Sequence, residues 1–149
     1  MRVYLAIVDE TEESRVSLRF AARRAAKTGG VVQILALVPR QGFNAFGGVQ
    51  ATIEEEARDR AEVLASSAAG ELFDEMGKMP QIAVRTNEEG VISDYLAEHP
   101  EIAALVLGAA AEGAPGPLVS HFTARSGSLP CPLFIVPGAM SPEDLERLS

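Results

Sequence analysis

Two stretches of the chain carry residues whose types and spacing could do chemistry. The first is "VDET", where Asp9 and Glu10 follow directly on an apolar run. The second is "LVLGAAAEGAPGPLVS", Leu105 to Ser120, where an apolar run ends in Gly108 and a glycine- and proline-rich loop leads into the start of a helix. That succession is the grammar of a phosphate-binding turn, because free backbone N–H groups at a helix N-terminus attract anions. A carboxylate facing such a loop can accept hydrogen bonds from a ribose or a base amine. Both stretches also have a structural reading. The loop can serve only to turn the chain, Pro117 removes one N–H that a phosphate would want, and Asp9 can belong to the entry of the following helix.

The other reactive side chains are dispersed. The P-loop pattern with its Lys and Ser/Thr is absent, as is the Rossmann glycine fingerprint. His99 and His121 lie far apart with no ligand spacing around them, so no metal site is expected. Cys131, the single cysteine, sits between Pro130 and Pro132 with no basic activator, which points to a packed, inert thiol. Arg15, Arg19, Arg23 and Lys27 recur every four residues and read as a solvated helix face balanced by the acidic first turn. Phe43 and Phe46, in a glycine-rich segment, would fold back onto the sheet, cover a crevice or mark a partner surface.

The elements that must position these residues follow from hydrophobic period and punctuation. Val3 to Val8 is apolar on both faces, as a central parallel strand requires. Thr11 can cap a helix with Glu12 and Glu13 in its first turn, stopped by Thr28-Gly29-Gly30. Val31 to Val38 is a second strand. A long helix runs from about Ala51 to Met76, with Ile53, Ala57, Ala61, Leu64, Ala68 and Leu72 along one face. Gln81 to Thr86 is a short strand near an edge, and Asn87 is expected to cap the next helix. The run "IAALVLG" is a fourth strand. Pro117 opens a short helix with Gly127 just past its end, Leu133 to Val136 is a fifth strand, and Ser141-Pro142-Glu143-Asp144 starts one last helical turn. Strands alternating with helices imply a three-layer α/β/α domain spanning 1–149 around a parallel sheet.

Bulk properties exclude several classes. The 149 residues are 47% hydrophobic with a net charge of −8. That balance argues against a nucleic-acid binder, which needs a basic face. The N-terminal apolar run is too short for a signal peptide, and no stretch reaches the roughly 18 apolar residues of a membrane span. One cysteine permits no internal disulfide. A cytoplasmic location is expected.

The opening "VYLAIVDETEESRVSLRFAARRAAKTGGVVQILALVP" and the closing "ALVLGAAAEGAPGPLVSHFTARSGSLPCPLFIVPG" resemble the first and last βαβ units of the universal stress protein family. The wording of "GAPGPLVS" and "IVPGAMSPEDLE" is similar to a single-domain, alphaproteobacterial-like branch. The resemblance implies a five-stranded parallel sheet of order 3-2-1-4-5. It also implies a non-catalytic, dimeric stress-response or signalling domain, paired through the fifth strand at Leu133, Phe134, Ile135 and Val136. Some members hold ATP or AMP between strands one and four, with magnesium only alongside the nucleotide; others hold none. The binding residues it implies are Asp9 after strand one, Leu37 or Val38 ending strand two, and Leu107 and Gly108 ending strand four.

The family's phosphate loop, Gly-x2-Gly-x9-Gly-Ser/Thr, is altered here. Its second glycine falls on Ala111 and its third on Val119, followed by Ser120, with seven intervening residues where the pattern has nine. Gly113 and Gly116 keep the two-residue gap without the Gly-Ser that should follow. Three functions therefore stand side by side: a nucleotide-holding stress protein, a protein-interaction module whose loop 108–120 has collapsed, and a slow nucleotide hydrolase.

Overall fold

The computed structural model describes residues 1–40 and 47–149. The chain alternates strand and helix: β1 (Val3–Val8), α1 (Glu12–Thr28), β2 (Val31–Val38), α2 (Gly47–Met76), β3 (Gln81–Thr86), α3 (Val91–Glu98), β4 (Ile102–Ala109), α4 (Pro117–Ala124), β5 (Leu133–Pro137) and α5 (Pro142–Leu148). The five strands form one parallel sheet of order β3-β2-β1-β4-β5.

β1 is buried along its whole length because both of its faces are covered. Tyr4, Ala6 and Val8 join Leu18, Ala21 and Ala25 of α1, Ala65, Ala69 and Leu72 of α2, and Leu145 of α5. Val3, Leu5 and Ile7 join Ile92, Tyr95 and Leu96 of α3 and Val119 and Phe122 of α4. This alternation sends successive β1 side chains into two separate cores, which explains the unbroken apolar run. The alanine stripe of α2 lets its backbone lie close to the sheet, and Val38 packs against Ala57 and Ala61.

Helix punctuation agrees with the sequence at three places. The Thr11 hydroxyl accepts from the Ser14 N–H at 3.3 Å, Gly29 ends α1 at φ 69°, and the Ser141 hydroxyl accepts from the Asp144 N–H at 3.2 Å. It differs at others. Gly90, at φ 80°, occupies the N-cap position of α3, so Asn87 is not its cap. Asn87 instead donates its backbone N–H to the Val38 carbonyl at 2.8 Å, extending the β2–β3 register. Gly127 lies inside a 3₁₀ turn, Ser126–Ser128, because α4 already ends at Ala124. α2 begins at Gly47, earlier than Ala51, and α5 runs for 7 residues. Phe43 and Phe46 fall outside the described residues. Three members of the basic row of α1 find partners on other helices: Arg15 faces Glu71 at 3.9 Å, and Arg23 and Lys27 face Glu146 at 2.6 Å and 3.9 Å.

Candidate functional site

Strand order reverses at β1, which has β2 on one side and β4 on the other. In an open parallel sheet the crevice beyond the carboxyl ends at such a switch point is where ligands bind. A cavity of about 130 Å³ occurs there, with Ile7, Asp9, Glu13, Leu107, Gly108 and Leu118 among its walls.

The β1–α1 turn forms one wall. Asp9 Oδ1 accepts from the Thr11 N–H at 2.9 Å and also from the Thr11 hydroxyl. Buried Ser14 closes the turn, its Oγ standing 3.0 Å from the carbonyl oxygens of both Asp9 and Thr11. Asp9 is therefore part of the helix entry, as its structural reading holds. Its second carboxylate oxygen, Oδ2, has no hydrogen bond from the described residues. The two readings are compatible: one carboxylate oxygen fixes the turn, and Asp9 also lines the cavity.

β4 and its loop form the opposite wall. Gly108 is where β4 meets the first turn of α1: a Cβ on it would stand 2.1 Å from the Glu13 carbonyl oxygen. That close approach, and not a ligand, is what requires glycine there. The loop then folds on itself, the Ala110 N–H donating to the Pro115 carbonyl at 3.0 Å. Gly113 and Gly116, at φ 73° and 112°, make its turns. α4 starts at Pro117 with no side-chain cap. Pro117 has no N–H to give, so Leu118 and Val119 carry the free donors of the first turn.

The expected residues do not all converge. Asp9, Leu107, Gly108 and Gly116 line the cavity. Gly113 and Ser120 are exposed and do not line it. Leu37 shares the sheet face of Ile7 and Leu107, whereas Val38 packs on the other face against α2. Between the two, Leu37 is thus on the crevice side, although neither lines the cavity. Val119, at the position of the third family glycine, is a buried residue of the first turn of α4 and also lines the cavity. Thr11, Glu13, Ser14 and Pro115 line the cavity and were not singled out as site residues from sequence. The spacing Asp9-x-Thr11-x-x-Ser14 was the available signal, since short polar side chains at that spacing lock a strand-to-helix turn.

The walls suit part of an adenine nucleotide. Ile7, Leu107 and Leu118 offer apolar contact and the Asp9 carboxylate an acceptor for a ribose hydroxyl. They do not suit a triphosphate. The cavity is smaller than the roughly 300 Å³ at which small-molecule pockets begin. Among the described residues no Lys or Arg lines it, while two carboxylates, Asp9 and Glu13, do. The described residues also contain no group of three or more His, Cys, Asp or Glu placed to hold a metal ion. A second, largely apolar cavity of about 230 Å³ lies at the opposite end of the sheet, between Ala22, Ala25, Leu72 and Met79, with Lys78 as its one charged lining residue among those described.

The sheet order and layering define the universal stress protein, or adenine nucleotide alpha hydrolase-like, fold. Solved structures that share it include the universal stress protein UspA from Lactobacillus plantarum, with TM-score 0.76 and 18% identity over 91% of this chain and 97% of that one. A universal stress protein from Archaeoglobus fulgidus in complex with dAMP has TM-score 0.58 and 20% identity over 91% and 97% of the two chains. A universal stress protein in complex with cAMP has TM-score 0.53 and 15% identity over 91% and 96%. No family model and no curated protein matches the sequence. No helix among the described residues is long and apolar enough to cross a membrane.

Proposed function

We propose that the chain is a non-catalytic member of the universal stress protein family whose crevice between β1 and β4 binds an adenine nucleoside moiety. The observation that carries this reading is the convergence of Asp9, Ile7 and Leu107 with the loop before α4 around one cavity at the switch point. The dAMP and cAMP complexes of similarly folded proteins support the same class of ligand. The test is calorimetric titration with adenosine and AMP. Micromolar binding that Asp9→Ala abolishes supports the reading, and no heat with no thermal shift at millimolar ligand sinks it.

We further propose a cytoplasmic homodimer joined through β5. β5 is an edge strand whose side chains Leu133, Phe134 and Ile135 are incompletely buried, beside a shallow groove also bordered by Phe20 and Met140. An apolar edge of this kind favours pairing with another strand. The interaction-module reading keeps one specific support: the Ala110–Pro115 hydrogen bond and buried Val119 draw the loop inward. It predicts a stable dimer that binds no adenine compound. A slow hydrolase would instead turn over ATP, with the turnover lost in Asp9→Ala.

A further inference from the structure

We infer that Glu13 sets the ligand class of this crevice, so that it accepts a neutral ribonucleoside and rejects the polyphosphates. The inference rests on the reading that the crevice holds an adenine nucleoside moiety. Glu13 is rooted at the loop end of the site. Its Cβ lies 3.1 Å from where a Cβ on Gly108 would stand and 3.2 Å from the same position on Gly138. The two glycines end β4 and follow β5, so Glu13 emerges where the loop toward α4 begins. The crowding that demands glycine at 108 also sets how closely the first turn of α1 lies against the end of β4.

Charge decides what such a wall can hold. Glu13 makes no ion pair with the described residues, and among them no cation lines the cavity with it. Arg60 of α2 reaches the β1–α1 turn but faces Glu10 at 4.0 Å, outside the walls. The segment 41–50, "QGFNAFGGVQ", contains no Lys or Arg that could be brought in. Against two carboxylates stand the N-termini of α1 and α4, each worth about half a positive charge, that of α4 depleted of one donor by Pro117. A phosphate entering this field meets net repulsion. Ribose hydroxyls meet an acceptor in Asp9, since O–H donation to a carboxylate is a strong, charge-assisted bond, whereas Glu13 acts on the ligand through its charge.

The experiment is titration of adenosine, AMP and ATP, in EDTA at low and high salt, into the unmodified chain, Glu13→Gln and Glu12→Gln. In the unmodified chain adenosine should bind tightest and ATP weakest. Removing one unit charge beside a phosphate should tighten AMP and ATP by about tenfold. Adenosine should stay within about twofold, and the discrimination should shrink at high salt. Glu12→Gln, on the exposed side of the same turn, should preserve the ranking. Thermal midpoints establish that both variants are folded. ATP binding tighter than adenosine to the unmodified chain overturns the inference, as does an equal shift of all three ligands in Glu13→Gln; in both cases the crevice reading survives. Absence of binding by all three ligands overturns the crevice reading and the inference with it.

Discussion

The carbonyl oxygen of Glu13 lies 2.1 Å from the place a Cβ on Gly108 would take, so the first turn of α1 and the end of β4 touch backbone to backbone. Backbone cannot rotate away as a flexible side chain can. Gly108→Ala should therefore destabilise the protein by about 1–3 kcal/mol, the range for overpacking a dense site. Gly113 is a different case. A Cβ there meets open space, but φ is 73°, so Gly113→Ala should cost about 1–2 kcal/mol through local strain alone. Urea unfolding of both variants separates the two effects when read together with adenosine binding. Gly108→Ala should also weaken binding by moving α1 against β4. If it is as stable as the parent, the close-packing account of Gly108 is wrong.

Asp9 holds the turn with one carboxylate oxygen and also lines the crevice, so two substitutions should come apart. Asp9→Ala loses both hydrogen bonds from Thr11 and should cost about 0.5–2 kcal/mol, as removal of a capping acceptor does. Asp9→Asn keeps an oxygen for Thr11 and should stay within about 0.5 kcal/mol of the parent. Both should weaken adenosine binding, since neither offers a carboxylate to the ribose. Chemical denaturation checks the first statement and titration the second. Equal stability of Asp9→Ala and the parent would remove Asp9 from the helix entry.

Much of this was legible in the sequence, for reasons that differ by element. β1 and β2 declare themselves because a strand buried on both faces must be apolar throughout. Thr11, Gly29 and Ser141 are read correctly because a cap is a local bargain between one side chain and its own next turn. Asn87 misleads for the same reason in reverse: its backbone is claimed by the Val38 carbonyl across the sheet, a contact that no local pattern carries. α2 starts in Gly47-Gly48, where propensity argues against helix by about 1 kcal/mol per glycine and the long alanine-faced helix overrides it. Asp9 was found by its place after a strand. Glu13 was not, because its position depends on α1 crossing β4, two elements some ninety residues apart in sequence.

Cys131 tests the reading of the lone thiol. Partial burial pushes its pKa up, and a hydrogen bond from the Leu105 backbone pulls weakly the other way. The thiolate is the nucleophile, so a raised pKa leaves less of it at mildly alkaline pH. Iodoacetamide should label Cys131 in the folded protein more slowly than a free cysteine peptide at pH 8. The rate should climb with pH through a midpoint above that of the peptide, and denaturant should erase the difference. The accompanying stability term is fully present below the unfolded thiol's pKa and is lost as pH rises through the higher folded value. Labelling at the peptide's rate in the native state would show that the thiol is not held protonated.

Ile135 tests the assembly. It lies in the edge strand β5, is 40% exposed, and is flanked by Phe134, whose ring is held edge-on by Phe20 at 6.2 Å. Phe134 is thus anchored in its own chain, while Ile135 alternates to the other side of the strand. Ile135→Lys should change little within the chain, with the midpoint of unfolding at low protein concentration within about 0.5 kcal/mol of the parent. It should weaken a β5-paired dimer strongly, because a lysine on each copy sets like charges near one another in a surface meant to be dry. Sedimentation velocity across a hundredfold range of concentration reads the outcome: monomer for Ile135→Lys, dimer for the parent. A variant that folds and still sediments as a dimer places the interface elsewhere, and a parent that is monomeric throughout removes it.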